Sequence, residues 1–424
     1  MPDEMIPLPM QQTPVVPAQP ASKKKVLIIS DAASLKHVGQ AKVCFEIGKR
    51  LMEKFSISQL GFGFGESRPE DTQPCPFPIY PISRPEMGDP KKVIDAIKRV
   101  NPDVVLFSHD CWLFPSIGTV RANLPQIKFI GYVTIDGEPI YYQHIEYLKP
   151  YDKLISPSHH GARCLVDRWL DLNVDVVPYG LNPNVFHAPK QGKEQLKTDL
   201  HKAYMQGSGS YLDLHQKFVG ISVGANQDRK NLGLTYEAWK EFEKGKENQV
   251  RLLMFVHSAS LKDEIGSYDL ACFIHDTKTI RIINQVQPDE VIGQFTACAD
   301  ILVHPCCGEG FGLCPLQSMA CGTVPIILPF AGLTDYCTSD NTYQVPYITH
   351  IGGFHVKRAL TSTNNLVAAL DQSYKNPEER IKKAINGIET AKNYSWEKCT
   401  EGIIRNIEEV LTYDSNSLYF KRLV

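Results

Sequence analysis

Short, unbroken apolar runs alternate with amphipathic stretches along most of the chain. VLIIS (26–30), a run near 57–62, DVVLFS (103–108), KFIGYVTI (128–135) and KLISPS (153–158) have the length and β-branched content of buried strands. Between the first two, Cys44, Ile47, Leu51 and Phe55 recur at i, i+3, i+7 and i+11 and predict one apolar helix face. Further helices are expected over about 90–100 and in the segment carrying Arg163 and Arg168. The rhythm resumes with KFVGISVG (217–224), a helix through Trp239 and Phe242, RLLMFVHS (251–258), and a helix–strand pair ending in IRII (280–283). A helix opening at Pro288, with Asp289 and Glu290 near its dipole, leads to ADILVHP (299–305). A strand from Val324 to Leu328 follows, then helices over about 363–375, 377–393 and 395–413. Such β-α-β alternation predicts α/β architecture, with parallel sheets covered by helices on both faces and ligand sites beyond the carboxyl ends of strands.

Two stretches interrupt the pattern. Residues 1–22 repeat Pro and Gln without apolar periodicity and are expected to be a disordered tail. Residues 187–215 are polar, hold a GSGS tract and lack a strand pattern, so the linker between two domains is placed there. The expected organisation is therefore a first Rossmann-like domain over 23–186, a second over 216–394, and a terminal helical segment over 395–424.

The densest chemistry lies in CCGEGFGLCPLQSMACGTVP, residues 306–325. It reads as a strand end, a glycine-rich turn and a helix N-terminus, with Leu316, Met319 and Ala320 at helical spacing and Gly322 placed to cap the C-terminus. Gly308, Gly310 and Gly312 permit close backbone approach, and the free N–H groups of the following helix suit an anion. One acid, Glu309, stands among the glycines, and Gln317 follows on the helix. Arg229 and Lys230 follow the strand ending at 224, at a helix start where cations are disfavoured unless an anion offsets them. His109, Asp110 and Asp136 stand at the carboxyl ends of first-domain strands. Asp136 could hydrogen-bond hydroxyls or take a proton; Asp-Gly also suits an Asx turn or helix cap, but its place at a strand end favours function.

Composition narrows the classes. A chain of 424 residues is long enough for two cores, and 43% hydrophobic with 22% charged residues is ordinary for a soluble globular protein. A net charge of -2 gives no global attraction to nucleic acid or anionic lipid, and no dense stripe of Lys and Arg is visible. No apolar run reaches the length of a membrane span and Asp3 and Glu4 stand where a leader would be basic, so a cytoplasmic location is expected. The twelve cysteines show no paired C-x-x-C pattern; although Cys306, Cys307, Cys314 and Cys321 crowd the key loop, no metal or cofactor is expected. His257 and His275 are read as structural.

The 306–325 run resembles the acid, seven residues, acid signature of retaining glycosyltransferases with the two-domain GT-B fold, of the family 4 type. Glu309, Gly310, Phe311, Gly312, Leu313, Met319, Ala320, Gly322 and Pro325 fall on that pattern; Cys314 displaces its proline to Pro315, and Gln317 replaces its second acid. Arg229 and Lys230 match the family's cationic pair, and Pro178, Gly180 and Phe186 match the element that closes its first domain. The resemblance implies two Rossmann-like domains facing across a cleft and a last helix crossing back onto the first domain. It implies Glu309 as a catalytic group facing the donor sugar, and donor binding by Arg229, Lys230, Gly310, Phe311, Gly312, Leu313, Gln317 and Gly39. Where the family commonly has a histidine after the 128–135 strand this chain has Asp136, which its place at a strand end makes a second catalytic candidate. Gly39 equally suits a plain strand-to-helix turn. His109 and Asp110 are candidates on the acceptor side.

The expected activity is metal-independent transfer of a hexose from a nucleoside diphosphate sugar to a hydroxyl acceptor, with retention. Two other classes stay open: a nucleotide-sugar epimerase of the same fold, and a sugar-nucleotide binding protein in which Gln317 marks weakened catalysis. The acceptor is open among glycans, lipids and other hydroxyl groups; a hydroxylated DNA base is possible but ranks below glycans and lipids.

Overall fold

The computed structural model describes residues 23–36, 38–66, 69–168, 174–205, 213–256, 276–352 and 356–413. The expected tail over 1–22, the helix expected between 258 and 280, and both His257 and His275 lie outside the described residues.

The first domain is built on seven parallel strands: β1 (Lys25–Asp31), β2 (Ser56–Phe62), β3 (Ile79–Pro81), β4 (Val104–Asp110), β5 (Lys128–Thr134), β6 (Lys153–Ser156) and β7 (Val174–Val176), in the order β3-β2-β1-β4-β5-β6-β7. Helices α1 (Gly39–Leu51), α2 (Pro90–Val100), α3 (Ile117–Asn123), α4 (Tyr142–Leu148) and α5 (His159–Arg168) connect them. Local chemistry sets the ends of α2. Asp89 accepts from the amides of Lys91 and Lys92, Pro90 occupies the first turn, and Asn101 closes the helix in the left-handed region.

Helix α6 (Lys193–Met205) follows inside the stretch read as linker. It is docked rather than loose. Buried Lys197 donates to Asp300 Oδ2 at 2.9 Å and Glu194 Oε1 at 2.8 Å, while Lys193 Nζ donates to Thr323 Oγ1 at 2.9 Å. The polar composition of this segment serves ion pairs with the second domain, a use that lacks any strand signature.

The second domain holds β8 (Phe218–Gly224), α7 (Leu232–Phe242), β9 (Val250–Val256), β10 (Ile280–Ile283), α8 (Asp289–Cys298), β11 (Ile301–His304), α9 (Leu313–Ala320), β12 (Val324–Ile327) and β13 (Tyr343–Gln344). Its six strands are parallel in the order β10-β9-β8-β11-β12-β13. Strands β14 (Ile348–Ile351) and β15 (Lys357–Leu360) form an antiparallel pair outside both sheets. Helices α10 (Thr363–Lys375), α11 (Pro377–Ala391) and α12 (Trp396–Thr412) end the described chain.

Separate apolar clusters cover one face of each sheet, and a third runs from α1 through the junction to α9 and α12. Helix α12 lies on the first domain: Arg50 Nη2 meets Glu397 at 2.7 Å, Lys153 meets Glu409 at 3.2 Å, and Asn406 donates to Asp175 at 3.1 Å. At Gly180 a β-carbon would stand 2.1 Å from the amide nitrogen of Trp396, so only glycine lets the entry to α12 pack there. Among the described residues no helix is long and apolar enough to cross a membrane.

Candidate active site

Four chain segments meet where the carboxyl ends of the two sheets face each other. From β8 the chain turns through a short 3-10 helix, Asp228–Lys230, to Asn231, which adopts φ 52°. Asn231 Nδ2 donates to the carbonyl of Pro305 at 2.8 Å, and Cys307 N donates to the carbonyl of Arg229 at 2.7 Å. The Arg-Lys turn is thereby pinned beside the loop that leaves β11. That loop carries Glu309 and reaches α9 through Gly312, whose φ of 93° suits glycine.

Glu309 is 7% exposed. Its Oε1 accepts from Lys230 Nζ and meets His304 Nε2 at 3.0 Å, while its Oε2 accepts from Arg229 Nη1 at 3.2 Å. Burial alone would raise this carboxyl, but the charges of Lys230 and Arg229, together with His304, hold it well below the usual carboxylate range. Burial lowers the His304 imidazole, against the pull of Glu309. Arg229 is raised, its burial being outweighed by Glu309, Cys306 and Asp136.

Asp136 reaches this cluster from the other domain. Its Oδ2 lies 2.9 Å from Arg358 Nη1 and 3.6 Å from Arg229 Nε. Burial pushes its pKa up, but Arg358 and Arg229 win and lower it. The domains touch closely here: a β-carbon on Gly308 would stand 2.0 Å from the Asp136 carbonyl oxygen, and one on Gly310 would stand 2.8 Å from Thr134 Cβ. The glycines expected to permit close approach do so, and part of what approaches is the first domain itself.

The structure therefore brings together Glu309, Arg229, Lys230, Gly310 and Asp136. The Phe311 ring stands apart, buried against Tyr179, Tyr336 and Tyr394 at centroid distances of 5.3, 5.4 and 5.8 Å, so any donor contact at this position is left to its backbone. Leu313 begins α9, and Gln317 is buried on the same helix. Gly39 opens α1, with nothing within 4 Å of where a β-carbon would stand.

The acceptor-side pair divides. Asp110 N–H donates to His109 Nδ1 at 2.8 Å, which leaves the ring hydrogen on Nε2 to meet Asp31 Oδ2 at 3.1 Å. Both nitrogens of His109 are engaged inside the first domain, where Arg84 also binds Asp31 at 2.8 Å. Asp110 accepts from the Thr134 hydroxyl at 2.5 Å and keeps 40% of its side chain exposed.

Two groups had escaped the sequence reading. His304 stands at a strand carboxyl end five residues before Glu309, which is the signal that singled out Asp136. Arg358 carries no local signal, because its partner is 222 residues away in the chain.

His304, Cys306 and Glu309 place ligand atoms within 4.8 Å of one another, as do Glu138, His160 and Cys164. Neither set suits a metal ion. In the first, two cationic side chains already bind the carboxylate. In the second, Arg163 Nη2 can only donate to His160 Nδ1, at 3.3 Å, which leaves Nε2 protonated beside Cys164.

Comparisons with known proteins bear on the fold and on the second domain. Residues 211–394 match the family model of the glycosyl transferases group 1. An uncharacterized glycosyltransferase of Methanocaldococcus jannaschii is 24% identical over 191 residues, 45% of this chain and 48% of that protein. The O-antigen chain mannosyltransferase B of Escherichia coli is 31% identical over 121 residues, 28% of each chain. The chain thus matches about half the length of the first curated relative and less of the second. Among solved structures, sucrose-phosphate synthase from Thermosynechococcus elongatus superposes with a TM-score of 0.69 at 16% identity, covering 92% of this chain and 99% of that one. Anabaena HepE, in complex with UDP and glucose, gives a TM-score of 0.67 at 12% identity, covering 91% and 100%. The fold is that of the GT-B glycosyltransferases, and residues 211–394 of this chain are similar to the glycosyl transferases group 1 domain.

Proposed function

We propose that this protein transfers a hexose from a nucleoside diphosphate sugar to a hydroxyl acceptor, with retention of configuration and without a metal ion. The observation that carries the reading is the Glu309 carboxylate, held ionised between Arg229, Lys230 and His304 at the mouth of the α9 N-terminus, with Asp136 opposite. Arg229 and Lys230 offer the positive charge that a departing nucleoside diphosphate needs as its bond to the sugar breaks. The amides from Gly310 to Gly312 and the start of α9 add donors for the same oxygens. Glu309 would then face the sugar as positive charge develops on its ring. The departing phosphate would take the acceptor proton on the face it leaves, because Asp136 is too acidic, beside two guanidiniums, to be an efficient base near neutral pH. Asp136 accepts hydrogen bonds from hydroxyl groups instead.

The names of similar proteins support a nucleotide-sugar donor. One relative is a mannosyltransferase, and HepE is seen with UDP-glucose. An epimerase of this fold would need an acid and base pair flanking the sugar and would lack the Glu309–Leu313 run that this chain carries.

The test is a panel of nucleoside diphosphate sugars, each incubated with candidate acceptors and assayed for nucleoside diphosphate release and for the anomeric configuration of the product. Release from one donor with the donor's anomeric configuration kept in the product supports the reading. Sugar interconversion without release, or donor binding without turnover across the acceptors, overturns it in favour of an epimerase or a binding protein.

A further inference from the structure

We infer that Arg358 is the positioning residue that makes Asp136 part of the site only when the two domains are closed. The inference rests on the transfer reading for its activity readout, but its geometry is independent of it.

Arg358 lies on β15, in the strand pair that belongs to neither sheet. One neighbour of Arg358 joins this strand to the glycine loop, since Ala359 N donates to the carbonyl of Cys307 at 2.8 Å. The other joins it to the first domain, since Lys357 N donates to the carbonyl of Glu138 at 2.6 Å. Between these bridges, Arg358 Nη1 contacts both the carbonyl oxygen of Asp136 at 2.8 Å and its Oδ2 at 2.9 Å. A single nitrogen shared between main chain and carboxylate restrains the side-chain torsion of Asp136 as well as its charge. Gly308 makes room for this arrangement, because a β-carbon there would stand 3.1 Å from the same Nη1.

The two carboxylates of the site differ in where their partners come from. Every cationic or imidazole partner of Glu309, namely Lys230, Arg229 and His304, belongs to its own domain. Both cations on Asp136, Arg358 and Arg229, belong to the opposite domain. Separating the domains, with β15 staying on the glycine loop through Ala359 and its bridge to Glu138 broken, would leave the Glu309 cluster intact and strip Asp136 of both. Arg358 therefore couples the orientation of Asp136 to closure, while the diphosphate cations stay assembled in either state.

Arg358→Ala and Arg358→Lys, compared with the wild type, test this in three measurements. Calorimetry with UDP and GDP should give affinities for Arg358→Ala within about twofold of wild type, because the diphosphate cations are untouched. Turnover in the transfer assay should fall by roughly ten- to a hundredfold, the scale of a lost positioning contact, with Arg358→Lys between the two. Small-angle scattering of the free proteins should show a larger radius of gyration for Arg358→Ala. Superposable scattering curves, or wild-type turnover in Arg358→Ala, would overturn the inference. If no donor is turned over even by the wild type, the transfer reading fails and the scattering comparison still decides this one. If Arg358→Ala does not fold, Arg358→Lys carries the same measurements, since it keeps the charge on a shorter side chain without the planar guanidinium that reaches both Asp136 oxygens.

Discussion

Lys230 and Glu309 are 79 residues apart in the chain, yet the ammonium of one donates directly to Oε1 of the other. The fold itself thus holds the cation pair against the acid of the glycine loop, and on the proposed function a diphosphate would meet cations held in place by the protein. Such preorganisation is where electrostatic catalysis gains most.

Removing Lys230 should therefore affect both stability and binding. Lys230→Ala leaves a buried carboxylate short of a partner, a loss of about 3–5 kcal/mol. Adding Glu309→Gln to that variant should recover part of it, a coupling that a double-mutant cycle of denaturant unfolding would read. For nucleoside diphosphate binding, Arg229→Ala and Lys230→Ala should each cost about 1.5–3 kcal/mol by calorimetry. Unchanged affinity in both would remove them from the donor site.

Glu309 and Gln317 should separate in kinetics. Glu309→Gln is expected to lower kcat with little change in donor KM, because the carboxylate acts as the sugar bond breaks. Gln317→Ala should raise KM with kcat kept, and Gln317→Glu should tighten the donor or leave it unchanged, since charge-assisted bonds to a ribose diol are the stronger kind. Loss of donor binding in a folded Gln317→Glu protein would mean that Gln317 reads some other group.

Chelation should leave activity intact. Arg229 and Lys230 supply the positive charge at the site, and Glu309, the acid a divalent ion would seek, is already paired with both. Activity abolished by EDTA and restored by a divalent ion would show otherwise.

Acid should weaken the fold through the same carboxylate. Glu309 is lowered well below the ordinary glutamate pKa, so the folded state binds fewer protons than the unfolded one. Its contribution is complete above an ordinary glutamate pKa of about 4.3 and is lost as pH falls from there toward the folded value. Asp31 and Asp136 are lowered too and act in the same direction. Melting temperatures taken from about pH 6 down to about pH 3 should fall more steeply for wild type than for Glu309→Gln. Parallel curves would mean that Glu309 is not the anion the fold depends on.

Gly308→Ala should disturb the domain contact more than the second domain's own core. The added methyl meets main chain, the Asp136 carbonyl at 2.0 Å, and main chain cannot swing aside as a side chain can. A cost of about 1–3 kcal/mol is expected from such overpacking, with turnover reduced further. A variant with wild-type stability and turnover would show that the loop has slack there.

Much of this protein follows from local pattern. Continuous apolar runs of four to eight residues, alternating with helical faces, predict two parallel sheets because period and length are properties of a few neighbouring side chains. The glycine loop, Glu309, and the Arg229–Lys230 turn were legible for the same reason, each being a short run whose chemistry conflicts with a plain turn or helix start. Partnership across the domains was not. That His109 turns inward to Asp31, that Phe311 packs among tyrosines, and that 193–205 is a docked helix all depend on atoms tens to hundreds of residues away. Arg358 is the extreme case: an ordinary strand cation in sequence, it gains a role only because folding brings β15 against the end of β5, where Asp136 must have a counter-charge.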